Sequence, residues 1–170
     1  MIRILALAAL AAGLLATPAL AAGTLKVETS KGCSFDITLR PDLAPKHVAQ
    51  ITKLAKSGFY DGIVFHRVID GFMAQTGDPT GTGMGGSKEP DIQGEFTAEP
   101  FKRGTVGMAR SSDPNSANSQ FFVMFAEGSF LNGQYTVWGQ VDEAGMACVD
   151  KIERGEPPAT PDKMTKVTVE

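Results

Sequence analysis

The chain has 170 residues, 42% of them hydrophobic and 21% charged, and a formal net charge of −3. That is ordinary globular composition, enough for one core and one domain. A mildly acidic chain with no basic cluster excludes nucleic acid and anionic membranes as expected partners. The first 21 residues differ from the rest. Arg3 precedes an apolar run from Ile4 to Leu15, and Pro18 precedes Ala19-Leu20-Ala21. A positive start, an apolar middle and an A-x-A site are the layout of a secretory signal peptide. The run is short of the ~20 residues that a spanning helix needs. Cleavage is therefore expected after Ala21, leaving residues 22–170 as a single exported domain, free of the membrane and placed in the periplasm.

Leu25 and Val27 alternate with Lys26 and Glu28, and after Ser30-Lys31-Gly32 the alternation resumes at Cys33, Phe35, Ile37 and Leu39. Two period-two runs about a Gly turn predict a β-hairpin. A helix follows. Pro45 suits its first turn, Val48, Ile51, Leu54 and Ala55 recur at helical spacing, and Gly58 suits its end. Ile63–Ile69 reads as a strand, and Thr76–Gly94, rich in Gly and Pro, as a long loop. Thr105–Ala109, Phe121–Phe125 and Tyr135–Val141 read as strands, Asp142–Arg154 as a second helix closed by Gly155 and Pro157-Pro158, and the region of Val167 and Val169 as a last strand. Many short strands with only two helices predict an antiparallel barrel or sandwich. Cys33 and Cys148 are the two cysteines. Two small buried apolar residues is the favoured reading; a bridge needs a Cα separation of ~4.4–6.8 Å, which spacing does not give.

Gly81-Thr82-Gly83-Met84-Gly85-Gly86 matches G-x-G-x-x-G, but it runs into Ser87-Lys88-Glu89-Pro90 rather than a helix. A dinucleotide or phosphate site is therefore rejected in favour of tight turns on a surface loop. His47 and His66 have no Cys or carboxylate at metal-ligand spacing, and the serines form no G-x-S-x-G elbow. Both histidines are read as structural, and no metal or cofactor is expected. Arg67 is the unusual residue. It lies among Val64, Phe65, Val68 and Ile69, with Phe72, Met73 and Gln75 close behind. A guanidinium stays charged, so it must reach a carboxylate or carbonyl or face a groove.

The run Val64–Asp78 resembles the cyclophilin signature. The resemblance continues, in order and at family spacing, through Gly81-Thr82-Gly83, Gly85-Gly86, Glu95-Phe96 and Gly107–Arg110. It extends to Asn118–Phe122, Phe130–Gly133 and Val137-Trp138-Gly139. It implies a mainly β fold, a closed eight-stranded antiparallel barrel capped by two α-helices, and a peptidyl-prolyl cis-trans isomerase acting in protein folding. By position it implies that Arg67 is catalytic and that Phe72, Met73, Phe122 and Leu131 form the pocket for the proline ring. Gln75 and Gln120 match polar groove positions, and Ala109 matches a residue beside the one preceding proline. Arg110, Phe130 and Tyr135 are expected to bind substrate as well. Phe130 stands where tryptophan is usual, Tyr135 where histidine is usual, and the loop Arg110–Asn118 is one residue longer. With the indole N–H gone, weak cyclosporin binding is expected. The implied partners are proline-containing, unfolded or partly folded exported polypeptides, met by a monomer. The alternative is a cyclophilin-like chaperone or peptide-binding module in which isomerisation is incidental.

Overall fold

A computed structural model describes residues 23–170; the expected signal peptide and its cleavage site lie outside them. The first strands, β1 (Thr24–Thr29) and β2 (Ser34–Leu39), pair as the expected hairpin. Helix α1 (Pro45–Lys56) begins on Pro45 and buries Val48, Ile51, Leu54 and Ala55, the stripe that its sequence announces. Next come β3 (Arg67–Ile69), β4 (Met73–Thr76), β5 (Thr105–Met108), β6 (Phe121–Met124) and β7 (Val137–Val141). Helix α2 (Glu143–Val149) and β8 (Met164–Val169) complete the chain. The eight strands form one sheet in the order β3-β4-β6-β5-β7-β2-β1-β8, and all pairings are antiparallel.

The sheet curls on itself, but its ladder does not close. The two end strands are joined across the seam by the isolated bridge between Val64 and Lys163, with Phe65 N donating to Asp162 O at 2.8 Å and Gly62 N to Met164 O at 2.7 Å. This corrects two expectations together. The barrel is not fully closed, and the strand expected over Ile63–Ile69 is paired in a ladder only from Arg67 onward, because its first half serves the seam. Strand β4 has no signature in the sequence. Its four residues show no polar–apolar alternation, since Ala74 faces the core while Met73 lies under a second apolar cluster. The second helix is shorter than expected. Asp142 caps it through Gly145 N at 2.7 Å, and past Val149 Arg154 Nη1 donates to the carbonyls of Asp150 and Ile152 instead.

Inside the curl, Tyr60, Phe121 and Trp138 pack edge to face, with ring centroids 5.6 and 5.3 Å apart. The Tyr60 hydroxyl donates to Ser119 O at 3.0 Å, so this buried polar atom is satisfied. At the N-terminus of α1 no local side chain caps the helix. The carboxylate of Glu95 does so from the long loop, accepting from Lys46 N and His47 N and from His47 Nδ1 at 2.6 Å. Burial lowers the pKa of His47 although Glu95 opposes it, so His47 is the structural histidine that the sequence suggests.

Cys33 and Cys148 are joined in a disulfide with Cα atoms 5.8 Å apart. The favoured reading of two unpaired apolar cysteines is thereby corrected. The sulfurs are 115 residues apart in sequence, and only the packing of α2 on β2 brings them together. Closing a loop of that length restricts the unfolded chain by roughly 4–5 kcal/mol in the chain-entropy account. Reduction should therefore lower the urea midpoint well beyond error, and Cys33→Ala should behave like reduced protein. A midpoint indifferent to reductant would contradict the tie.

Candidate active site

Strand alternation places the site. On β3, β4 and β6 the residues Val68, Ala74, Phe121 and Val123 face the inner core. Their neighbours Arg67, Met73, Gln75, Phe122 and Met124 therefore face outward. Arg67 stands opposite Gln75, and Gln75 opposite Phe122. The outward face carries its own apolar cluster of Met73, Phe101, Phe122, Met124, Leu131 and Val137, against which Phe72, Ala109 and Tyr135 pack. Gly107 makes this possible. A Cβ there would meet Phe122 Cζ at 2.5 Å and Phe101 Cε1 at 2.6 Å, so only glycine lets the two rings lie flat on β5, stacked 5.8 Å apart.

This cluster floors an open cavity of about 720 Å³. Phe72, Met73, Phe122, Leu131 and Tyr135 line it together with Arg67, Gln75, Ala109 and Arg110. The expected site residues are thus assembled from β3, β4, β6 and the three connections β3–β4, β5–β6 and β6–β7, with two qualifications. Gln120 borders a neighbouring cavity of about 490 Å³, which shares Gln75, Ala109 and Arg110 with the first. Phe130 does not line the first cavity. It is 64% exposed and leans its ring on Phe72, centroids 5.4 Å apart, so it acts on the pocket through Phe72.

The polar groups form one chain. Arg67 Nε donates to Glu156 Oε1 at 2.9 Å, and its Nη1 reaches Gln75 Oε1 at 3.5 Å. Gln75 Nε2 donates to Gln120 Oε1 at 2.9 Å, and Gln120 Nε2 to the carbonyls of Gly83 and Gly85 at 3.0 and 2.8 Å. Among the described residues, Arg67 Nη2 has no hydrogen-bond partner, and a guanidinium held at Nε and Nη1 offers that donor to the cavity. Glu156 was not among the expected residues. It is 89 positions from Arg67, and it arrives because Val68 and Gly155 exchange both backbone hydrogen bonds at 2.8 Å. Gly155 has φ +150°, and a Cβ there would run into Pro158, so the bend that delivers Glu156 requires glycine.

The glycine loop is organised by a carboxylate. Asp78 is buried, and its carboxylate accepts from the Thr80 N–H and hydroxyl and from the backbone N–H groups of Thr82, Gly83 and Gly85. Burial alone would raise its pKa, but these hydrogen bonds prevail and hold it at about 2. The coil round Asp78 aims the Gly83 and Gly85 carbonyls at Gln120 and so anchors the far end of the polar chain. His66 lines the cavity with neither ring nitrogen hydrogen-bonded among the described residues, and burial lowers its pKa. Neutral and without a nucleophile partner, it fits a wall better than a base.

A family model described as cyclophilin type peptidyl-prolyl cis-trans isomerase/CLD matches residues 24–169. The chain is 57% identical to a Brucella suis protein named probable peptidyl-prolyl cis-trans isomerase, over 79% of this chain and 76% of that one. A Cryptococcus neoformans peptidyl-prolyl cis-trans isomerase-like 2 is 46% identical over 71% of this chain and 22% of its own. Among solved structures, a cyclophilin from Hirschia baltica superposes with TM-score 0.77 at 32% identity, covering 85% of this chain and 73% of that one. A Cryptosporidium parvum cyclophilin type peptidyl-prolyl cis-trans isomerase, crystallised in the presence of the dipeptide Ala-Pro, gives 0.78 at 27% identity, covering 86% and 98%.

The Asp78 anchor has a pH signature. Its carboxyl ionises near 3.8 in an unfolded chain and near 2 in the folded one, so over that interval the folded state binds fewer protons. The resulting stability is complete above the higher value and is lost as pH falls through the lower, and it amounts to on the order of 2 kcal/mol. Asp78→Asn should be less stable than the parent by a gap that is constant near neutrality and narrows as pH falls toward 2. Urea unfolding at several pH values measures it. A gap independent of pH would show that the carboxylate charge does not hold the loop.

Proposed function

The chain belongs to the cyclophilin-type peptidyl-prolyl cis-trans isomerases, and from that premise we propose that Arg67 stabilises the twisted X-Pro amide while the apolar cavity beneath it holds the proline ring. Rotation about the planar amide meets a barrier of ~18–20 kcal/mol because twisting breaks resonance. No proton moves and no covalent bond forms, so the enzyme has only to bind the twisted amide better than the planar one. The prolyl nitrogen regains a lone pair as it twists, and Arg67 Nη2 is the donor available to it. That free donor over the Phe72–Met73–Phe122–Leu131 pocket is the observation that carries the reading. The planar amide is also the more dipolar of the two forms, so apolar walls disfavour the ground state.

Magnitudes divide the labour. A hydrogen bond from a charged donor contributes about 1.5–3 kcal/mol net, and each 1.36 kcal/mol is about tenfold in rate. Arg67 therefore accounts for one or two decades. Holding the ring and the flanking backbone while the other side turns must supply the remainder. Glu156 and Gln75 serve by fixing the guanidinium plane, since an arginine free to swing would lose the geometry before its charge.

The substrates we propose are proline-containing segments of exported, incompletely folded polypeptides, met by a monomer in the periplasm. The layout of residues 1–21 supports export, and the Cys33–Cys148 disulfide supports an oxidising compartment. Phe130 supports weak cyclosporin binding, because its ring has no N–H to donate. A second reading has its own observation. Met84 and Phe130 are 91% and 64% exposed, and both belong to loops that border the cavities. Such flanks suit a surface that holds unfolded chain with isomerisation incidental.

Arg67→Ala should lower kcat/KM at least tenfold in an isomerase assay on a short prolyl peptide, with an unchanged circular dichroism spectrum. Unchanged activity would overturn the role given to Arg67. Glu156→Ala should lower kcat severalfold, and Glu156→Gln, which keeps an acceptor for Arg67 Nε, should recover part of it. Refolding yield of a proline-free client separates the second reading: a holder keeps its effect in Arg67→Ala, and a pure isomerase has none to lose.

A further inference from the structure

Five arginines stand among the described residues, and four carry a carboxylate: Arg40 with Asp42, Arg67 with Glu156, Arg103 with Glu143 and Asp150, and Arg154 with Asp70. Arg110 has none among the described residues, yet it is held firmly. Its Nε and Nη2 donate to Gln134 O at 3.2 and 2.8 Å, its Nη1 donates to Ser111 O at 2.9 Å, and its guanidinium lies 4.5 Å from the Tyr135 ring centroid. Carbonyls and an aromatic face fix the plane but cancel no charge. A guanidinium has five N–H bonds, so two remain, one on each terminal nitrogen. An immobilised, unneutralised cation with donors to spare is what a carboxylate ligand requires.

Its position says which carboxylate. Arg110 borders both cavities, next to Ala109, at the wall between them. The family resemblance sets Ala109 beside the residue that precedes proline, so with a proline ring in the first cavity the preceding residues would pass Ala109 toward the second. The second cavity has one other ionisable side chain on its walls, Asp91. Asp91 does not border the first cavity, and its Oδ1 already accepts from Asn118 Nδ2 at 2.9 Å. A substrate chain leaving the proline pocket therefore meets a positive charge first and a negative one farther on. Arg67, the other cation of the first cavity, is already matched by Glu156.

We propose that Arg110 is a specificity-determining residue that selects prolines preceded, at one of the two nearest positions, by aspartate or glutamate, an inference that rests on the isomerase reading above. The acidic side chain takes the two unused N–H donors, and a basic side chain at the same place is repelled. For an exposed pair the preference should be about two- to fivefold, and it should weaken with added salt.

The test is kcat/KM of the protein by a protease-free exchange assay on peptides with Glu, Gln or Lys at each of the two positions before proline. At one of them Glu should exceed Gln by about two- to fivefold and Lys should fall below it. Arg110→Gln should bring the Glu-to-Lys ratio toward one, whatever it does to the absolute rate, and Asp91→Asn should raise that ratio. Equal rates for Glu, Gln and Lys in the unaltered protein would overturn the proposal, as would a ratio that survives Arg110→Gln. If the Gln peptides are not accelerated at all, it is the isomerase reading that fails; if they are accelerated without discrimination, only the role of Arg110 falls.

Discussion

Strand register across β3, β4 and β6 is the constraint on which the site depends. Both faces of this part of the sheet are covered by apolar side chains, one by the core inside the curl and the other by the cluster around Phe122. Side chains alternate with a period of two, so a slip of one residue would exchange the faces. Val68, Ala74 and Val123 would turn outward, while Arg67, Gln75 and Phe122 would be driven into the apolar cluster of the inner core. Burying that charge unpaired costs several kcal/mol, which penalises the slipped register strongly. The arginine that performs the proposed chemistry thus also enforces the pairing that positions it.

The same economy governs the polar chain. Starting from Asp78, each link fixes the next: the carboxylate coils the glycine loop, the loop presents the Gly83 and Gly85 carbonyls, these orient Gln120, and Gln120 orients Gln75 toward Arg67. Glu156 closes the chain from the opposite side. An amide group has a donor end and an acceptor end, so orienting Gln120 at its donor end fixes what its acceptor presents. The distance between Asp78 and Arg67 in function is therefore bridged by hydrogen-bond polarity, without any charge travelling between them.

Much of this was legible before the fold. Elements with a clean period announced themselves: the β1–β2 hairpin by its alternation, and α1 by Pro45 and the Val48–Ile51–Leu54 stripe. Where both faces of a strand are buried the alternation vanishes, and β4 went unseen for that reason. The resemblance named most of the cavity wall, because those residues are clustered in short blocks. It did not reveal partners that meet through the seam or across long loops. Glu156 reaches Arg67 only through the Val68–Gly155 bridge, and Cys33 reaches Cys148 only through the seat of α2 on β2. Neither depends on a local pattern. The second cavity's charge balance was equally hidden, since it turns on which arginines find acids, and Arg110 is surrounded in sequence by Ala109, Ser111 and Ser112 with its nearest acid at Asp113.

Proton transfer has no place in this site, and its titratable groups show why that matters. His66, on the cavity wall, is pushed toward its neutral form by burial, and Asp78 is held ionised by its hydrogen bonds. Both shifts move these groups away from titration near neutral pH, which steadies the field at the cavity. A reaction that works by binding one amide geometry better than another needs that constancy, because a fluctuating charge near the prolyl nitrogen would alter the planar and twisted states unequally. Fixed dipoles and a fixed cation over a pocket of Phe72, Met73, Phe122 and Leu131 also require no reorganisation as the bond turns. On the proposed mechanism, discrimination between substrates falls to groups beside the pocket, where an added charge can change affinity without disturbing the donor proposed to meet the nitrogen.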